Sequence, residues 1–205
     1  MLNKARYDSR PDSFRSRLCA KPAVLARQIV AKSRLFTVEE VELRFSNGEE
    51  RTYERLANKG TGPGAVMVVA MIDNEHALLI EEYCGGTEDY QLSLPKGLVE
   101  KDETVLEGAN RELKEEAGYG ARQLEYLTQL SLSPGYMNQK IHVVLARDLY
   151  PERLEGDEPE PIEVDKISLR ELFSLMDNPR FTEGRALAAL YLVRDLLIQR
   201  GEFAA

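Results

Sequence analysis

Residues 97–119 read GLVEKDETVLEGANRELKEEAGY, and the interpretation of the whole chain starts from this stretch. After a glycine turn, apolar residues recur at helical spacing, namely Val105, Leu106, Ala109, Leu113 and Ala117. Gly118 stands where a residue in the left-handed conformation commonly ends a helix. The stretch therefore predicts a turn followed by one helix.

Three glutamates lie along one edge of this predicted helix. At about 100° per residue, Glu112 and Glu116 are about 40° apart at the border of the apolar stripe, with Glu115 further toward solvent. Crowded carboxylates repel one another unless a cation lies among them, and hard divalent cations such as Mg²⁺ prefer oxygen ligands. Glutamates on a helix are also common as a solvated face, so their spacing alone leaves both interpretations open.

The full set of fixed residues is more specific than the glutamates. It matches the motif G-x5-E-x7-R-E-U-x-E-E-x-G-U, where U is a large apolar residue, at Gly97, Glu103, Arg111, Glu112, Leu113, Glu115, Glu116, Gly118 and Tyr119. So many matches within 23 residues make chance agreement very improbable. On this motif the chain resembles the Nudix hydrolases, which cleave nucleoside diphosphates linked to another moiety and use Mg²⁺ or Mn²⁺.

Length, charge and cysteine content narrow the class of protein. The 205 residues suit one α/β domain with a modest additional element. The net charge of −8 argues against nucleic acid as a main partner, and the absence of an apolar run near ~18 residues argues against a membrane. Cys19 and Cys84 form no ligand-spaced pair, which suits a reducing compartment, so the cytoplasm is the expected location.

The chain is predicted to have three parts. Residues 1–26 carry basic residues without an apolar central region and are interpreted as an N-terminal arm. Residues 27–57 are predicted as a small antiparallel sheet, because Asn47-Gly48 between alternating segments is a strong hairpin signal. A few strands are not stable alone, so this sheet must pack on the main domain, residues 58–205, or on a second copy of the chain.

The main domain is predicted to have an α/β (α+β) fold with a mixed β-sheet sandwiched between helices. Continuous apolar runs at 65–72 and 141–149 are typical of strands buried on both faces. The other predicted elements are strands over 76–83, 122–132 and 162–168 and helices over 169–177 and 182–200. This order of elements is that of the Nudix fold, which the motif also implies.

Two further features resemble the ADP-ribose pyrophosphatase group of the Nudix hydrolases. One is the N-terminal sheet, which in that group joins two subunits into a homodimer with shared active sites. The other is the turn Ser133-Pro134-Gly135, which lines the substrate pocket there. Segments such as DLYPERLEGDEPEP resemble the NudE-type branch. The resemblance implies hydrolysis of ADP-ribose, NADH or diadenosine di- and triphosphates to AMP plus the other moiety.

The motif residues are assigned metal-binding roles on this basis. Glu112 and Glu116, with the carbonyl of Lys96, are expected to hold a first Mg²⁺, and Glu115 to serve a second ion. Arg111 is expected to fix the glutamate rotamers by charged hydrogen bonds. Glu103 is the weakest candidate ligand, and the alternative is a helix-start residue favoured by the helix dipole.

The general base is expected on an acidic loop after the last core strand. There Glu158 is the first candidate and Glu160 the second, while a merely solvated acidic loop remains the alternative. Leu98, Ser133, Pro134 and Gly135 are predicted to line the substrate pocket.

Residues of the N-terminal sheet are predicted to contact the adenosine half of the substrate. Phe36 is a candidate to stack on adenine, while Arg51 and Arg55 are candidates to reach phosphate or ribose. Cys84 and Gln139 stand where many relatives carry arginine and glutamate. Another group must therefore neutralise the substrate diphosphate.

Two alternative functions keep the same fold. One is a nucleotide-sugar pyrophosphatase, which keeps the mechanism and changes the substrate. The other is a catalytically silent Nudix domain that senses ADP-ribose or NAD and regulates a partner. The intact set of Arg111, Glu112, Glu115 and Glu116 speaks against silence, because a sensor does not need it.

Overall fold

A computed structural model describes residues 21–57 and 62–204 of the chain. These residues group into two compact units. The first unit extends to Asn58 and includes Gly135–Asn138, and the second contains Lys59–Pro134 and Gln139–Ala205. Most of the predicted arm, residues 1–20, and part of the loop that follows the first sheet, residues 58–61, lie outside the described residues.

The first unit contains an antiparallel sheet of three strands in the order β1-β2-β3: β1 is Ala23–Lys32, β2 is Thr37–Arg44 and β3 is Glu50–Leu56. Between β2 and β3, Gly48 adopts a φ of 86° and the N–H of Glu49 donates to Oδ1 of Asn47, which confirms the predicted hairpin. Strand β1 begins at Ala23 and takes in the end of the segment interpreted as an arm.

The described part of the second unit contributes the strands β4 (Ala65–Ala70), β5 (His76–Cys84), β6 (Asp89–Ser93), β7 (Lys96–Leu98), β8 (Tyr119–Ser131), β9 (Lys140–Pro151) and β10 (Glu163–Ser168). One mixed sheet has the order β7-β4-β9-β8, in which β4 and β9 are parallel and the other pairs antiparallel. A second, antiparallel sheet has the order β10-β5-β6. The strands predicted over 122–132 and 162–168 are confirmed as β8 and β10.

Three helical elements complete the described part of the second unit. Helix α1, Val105–Glu112, continues into a π-helical turn at Leu113–Ala117; α2 is Leu172–Leu175 and α3 is Gly184–Gln199. The prediction of a helix over 169–177 is wrong in length, because the N–H of Leu169 donates to the carbonyl of Glu75 and Pro179 disfavours helix just before it. No helix of the described ranges is long and apolar enough to cross a membrane.

The central strands bury side chains on both faces. On one face, Met67, Val69, Val143 and Leu145 join a core with Ala186, Leu190, Val193 and Leu197 of α3. On the other face, Val66, Val68, Val144 and Ala146 pack with Ala109 and Leu113 of the α1 region. The strands β4 and β9 therefore lie between α1 and α3, which confirms the predicted sandwich.

Candidate active site

The beginning and end of the motif helix are both fixed by local hydrogen bonds. The hydroxyl of Thr104 accepts from the N–H of Glu107 at 3.3 Å, and the Glu107 carboxylate accepts from the N–H of Thr104 at 2.8 Å. This reciprocal capping box has the sequence signature T-x-x-E, which the sequence analysis did not use. At the other end, Gly118 has a φ of 75°, which confirms the predicted left-handed residue.

The helix is not regular along its whole length. Leu113–Ala117 form a π-helical turn, so Glu115 and Glu116 lie on a wider turn than Glu112 does. The angle between glutamates expected from a regular helix therefore does not apply. Such turns inside helices occur frequently at functional sites.

Arg111 is the centre of the hydrogen-bond network at the motif. Its guanidinium has five N–H donors, and the structure gives it five acceptor contacts. Nε and Nη2 donate to the two oxygens of Glu103 at 2.8 and 3.1 Å, and Nη2 also donates to the carbonyl of Leu98 at 2.7 Å. Nη1 donates to Glu112 at 2.9 Å and to Glu115 at 2.7 Å. The expectation that Arg111 orients motif glutamates fits this geometry.

Glu103 directly precedes the helix N-cap, Thr104, and its expected role as a weak metal ligand stays a prediction. Its carboxylate is bonded to Arg111, and this hydrogen bond lowers the pKa of Glu103. The same contact raises the pKa of Arg111. Glu103 thus binds the guanidinium through Nε and Nη2, whereas Glu112 and Glu115 bind it through Nη1.

Glu112 and Glu116 are the buried carboxylates of the motif. Glu112 is 8% exposed and Glu116 only 3%. Burial raises the pKa of Glu112, against the opposing effect of Arg111, and raises the pKa of Glu116 to about 8. The N–H of Lys96 donates to Oε2 of Glu116 at 2.7 Å. Two carboxylates therefore sit where their charge is costly unless a cation compensates it.

Gly97 leaves space next to Glu112. A Cβ added at this position would overlap the Glu112 carboxyl group. Among the described residues Gly97 is not one of those with positive φ, so the requirement for glycine is one of space.

The donor chemistry of this region fits a divalent cation. Glu112 and Glu116 are buried with raised pKa values, and a side chain at Gly97 would fill the adjoining space. Within residues 21–57 and 62–204, no three acidic, histidine or cysteine side chains converge as ready ligands. Arg111 binds one oxygen each of Glu112 and Glu115, and the Lys96 N–H binds one oxygen of Glu116, so each carboxylate keeps a second oxygen for a cation.

The acidic loop, residues 152–162, is attached to the end of the motif helix. The N–H of Glu152 donates to the carbonyl of Gly118 at 3.0 Å, and the N–H of Leu154 donates to the carbonyl of Lys114 at 3.2 Å. The Lys114 ammonium also pairs with the Glu152 carboxylate at 2.9 Å. The loop therefore starts from a fixed position beside the π-helical turn.

The two candidate bases on this loop have different surroundings. Glu158 is half-buried and its charge raises the pKa of Glu112, which places it near the motif. A Cβ at Gly156 would lie 2.7 Å from an oxygen of Glu158 and 3.7 Å from Cβ of Glu115. Glu160 is exposed and accepts a hydrogen bond from the hydroxyl of Tyr90 on β6. This bond raises the pKa of Tyr90 and fixes the far part of the loop.

A cavity of about 390 Å³ lies beside the loop, lined by Glu81, Glu82, Tyr83, Tyr90 and residues 158–163. Glu82 forms an ion pair with the ammonium of Lys96. The sequence analysis did not single out Glu82, Tyr90 or the side chain of Lys96. Their partners are 14 and 70 positions away in the chain, and no local spacing rule indicates such pairs.

The predicted substrate residues are distributed over both units. Leu98 ends β7 with 70% of its surface exposed, and Ser133 and Pro134 follow β8; all three belong to the second unit. The other four belong to the first unit, namely Phe36, Arg51, Arg55 and Gly135. Arg51 pairs with Glu49 at 2.8 Å and Arg55 with Glu39 at 2.6 Å. Their roles toward substrate stay predictions.

Two known protein families match most of the chain. The NUDIX domain matches residues 62–191, and the NudE-type Nudix hydrolase N-terminal domain matches residues 22–55. The first of these covers the motif, the acidic loop and the first half of α3. The second covers the three-stranded sheet of the first unit.

Individual relatives agree with the family matches. The chain is 49% identical to the ADP compounds hydrolase NudE of Escherichia coli (strain K12) over 186 residues, 91% of this chain and 98% of that protein. It is 31% identical to the ADP-ribose pyrophosphatase of Bacillus subtilis (strain 168), over 81% of this chain and 91% of that protein. A crystal structure of an ADP compounds hydrolase superposes with a TM-score of 0.82 at 49% identity and covers 89% of this chain and 97% of that one.

Proposed function

The chain belongs to the Nudix hydrolase family, and we propose that it hydrolyses the diphosphate of ADP-linked compounds to AMP and the other moiety. The names of its relatives, an ADP compounds hydrolase and an ADP-ribose pyrophosphatase, support this substrate class. ADP-ribose, NADH and diadenosine di- and triphosphates are the candidate substrates. The observation that carries the proposal is the burial of Glu112 and Glu116. Burying two carboxyl groups destabilises the fold, and a domain without metal-dependent catalysis does not need them.

Nudix hydrolases need divalent metal ions, and we propose Mg²⁺, with Mn²⁺ as the alternative. Glu112, Glu116 and the Lys96 carbonyl would hold the first ion, and Glu115 would serve a second. When bound, the metal neutralises charge on the phosphates. Arg111 supports this set, because its bonds to Glu103 and Leu98 keep the guanidinium in place while the other glutamates rearrange.

Glu158 is the proposed general base. Its carboxylate takes a proton from the attacking water, which hydrolysis of a diphosphate requires. The proximity of Glu158 to Glu112 and Glu115 supports this role. Glu160 is the second candidate. We rank it below Glu158 because its carboxylate already accepts a hydrogen bond from the hydroxyl of Tyr90 at the far side of the loop.

Substrate binding and assembly are proposed to involve the first unit. Phe36, half-exposed, would stack on adenine, and Arg51 and Arg55 would contact phosphate or ribose. Leu98, Ser133, Pro134 and Gly135 would line the pocket. We propose a homodimer through the first sheet, supported by four exposed apolar residues on β1: Val24, Leu25, Ile29 and Val30. The proposed location is the cytoplasm, which suits the spacing of the two cysteines.

A substrate panel tests the proposed function. The purified protein is incubated with ADP-ribose, NADH, diadenosine triphosphate and a nucleotide sugar such as GDP-mannose, with and without Mg²⁺, and released AMP or GMP is quantified. Metal-dependent release of AMP from the ADP-linked compounds is the expected result. Turnover of the nucleotide sugar alone would instead favour the nucleotide-sugar pyrophosphatase. Binding of ADP-ribose without turnover would favour the silent sensor.

A further inference from the structure

The two cations beside the buried glutamates differ in how far their hydrogen-bond donors are used. Arg111 has five N–H donors and five acceptor contacts, so its capacity is filled by protein groups. Lys96 has an ammonium with three donors, and among residues 21–57 and 62–204 this ammonium has one carboxylate partner, Glu82. Lys96 therefore keeps donors available for another anion.

The position of Lys96 links the motif to the cavity. Lys96 is the first residue of β7. Its backbone N–H donates to Glu116, and its side chain extends to Glu82 on β5 of the other sheet. Glu82 is one of the residues that line the cavity beside the acidic loop. The side chains of Lys96 and Glu82 are each 21% exposed, so this ion pair is reachable from solvent.

Carboxyl groups outnumber cations in this region. Glu82, Glu112, Glu115, Glu116 and Glu158 contribute five carboxyl groups within one neighbourhood that also holds Arg111 and Lys96. A diphosphate adds further negative charge to them. A cation with available donors is therefore needed in addition to any metal, because phosphate oxygens lose solvation on binding and have to be paired.

We propose that the Lys96 ammonium binds the diphosphate of the substrate, and that Glu82 is the internal counterion from which it is released. This inference rests on the proposed function. It assigns the side chain of Lys96 a role separate from that of its backbone carbonyl. No covalent step is involved: the ammonium exchanges a carboxylate partner for non-bridging phosphate oxygens.

Kinetics with ADP-ribose test this proposal through three variants and a control. Lys96→Met removes the charge, keeps the length and leaves the carbonyl in place, and we expect KM to rise about 10- to 100-fold, the effect of losing a charged hydrogen bond. Lys96→Arg should keep KM within about threefold, because the cation is conserved. Lys101→Met, an exposed lysine in the turn before α1, is the matched control and should leave KM unchanged.

The variant Glu82→Gln distinguishes two interpretations of the ion pair: a partner that Lys96 exchanges for the diphosphate, and a purely structural contact. If Glu82 competes with the diphosphate for Lys96, removing its charge should lower KM for ADP-ribose and tighten the binding of inorganic pyrophosphate measured by calorimetry. If the pair is only structural, Lys96→Met and Glu82→Gln should impair activity alike and lower the melting temperature alike.

Failure of this inference and failure of the proposed function give different results. A wild-type protein that releases no AMP from any ADP-linked compound overturns the proposed function. A wild-type protein that releases AMP, together with a Lys96→Met variant of unchanged KM and unchanged pyrophosphate affinity, overturns the role of Lys96 alone.

Discussion

The motif helix and the acidic loop both supply glutamates to one site, and they hold them in opposite ways. On the helix, Glu112 and Glu116 are buried and bonded to Arg111 and the Lys96 N–H. On the loop, Glu158 lies between two attachments, one at the π-helical turn and one that Glu160 itself forms with Tyr90. Under the proposed roles, the ligands of the cation are held along a helix, while the general base lies on a loop segment that is held at its two ends.

The largest expected effect comes from the helix. Glu116→Gln keeps the shape of the buried side chain and removes its charge, so we expect kcat to fall about 10³-fold or more, because a ligand and its negative charge are lost together. Mg²⁺ binding, followed by calorimetry, should weaken in parallel. Glu100→Gln, an exposed neighbour in the turn before α1, is the control. Retained metal affinity in Glu116→Gln would contradict the assignment.

Substitutions on the loop should lower kcat without weakening the binding of Mg²⁺. Glu158→Gln should lower kcat about 10²- to 10⁴-fold, the usual contribution of a general base, while Mg²⁺ affinity stays nearly unchanged. Glu160→Gln should lower kcat by a smaller factor. An unchanged kcat in Glu158→Gln would remove this residue from the mechanism, and a larger loss in Glu160→Gln would reverse the order of the two candidates.

The attachment at Tyr90 should have a moderate effect. Tyr90→Phe removes the hydroxyl that donates to Glu160 but keeps the ring, so the loop loses one of its two attachments. We expect kcat to fall about tenfold with little change in KM, because the hydrogen bond that holds the far part of the loop is lost. Tyr83→Phe, which alters the neighbouring ring of the same aromatic pair, is the matched control. Equal losses in the two variants would show that Glu160 needs no such anchor.

The smallest expected effect concerns stability as a function of pH. Burial raises the pKa of Glu116 from 4.5 to about 8, so between these values the folded protein keeps a proton that the unfolded chain has released. The unfolded state then binds fewer protons, and this group makes stability fall as pH rises from about 4.5 to about 8. For the metal-free protein, the melting temperature of Glu116→Gln minus that of the wild type should therefore increase across this window. A constant difference would contradict the raised pKa.

Features set by adjacent residues could be predicted from the sequence. The hairpin at Asn47-Gly48, the end of the motif helix at Gly118 and the buried strand β4 all follow from local composition, and the structure confirms them. The helix predicted over 182–200 is confirmed as α3 for the same reason. That Glu112, Glu115 and Glu116 belong to one continuous helical segment could likewise be inferred from the local sequence, although the angles between them could not.

Features that depend on contacts between distant segments could not be predicted. The capping box at Thr104 had a local signature, but the pairing of Tyr90 with Glu160 and of Lys96 with Glu82 has none. The π-helical turn breaks the assumption of a constant angle per residue, on which helical spacing depends. The need for glycine at position 97 likewise arises from a side chain that lies 15 positions away in the sequence.

The π-helical turn also depends on a segment that is distant from it in the sequence. The carbonyl of Lys114 accepts hydrogen bonds from both Gly118 and Leu154, so the irregular turn is completed by a segment that two strands separate from it. Grafting the 23-residue motif onto a regular helix of another scaffold would supply Glu112, Glu115 and Glu116 but omit Lys96 and this second half. The smallest transferable form of the site is therefore discontinuous, and a deletion of one residue in Leu113–Ala117 would disturb both halves at once.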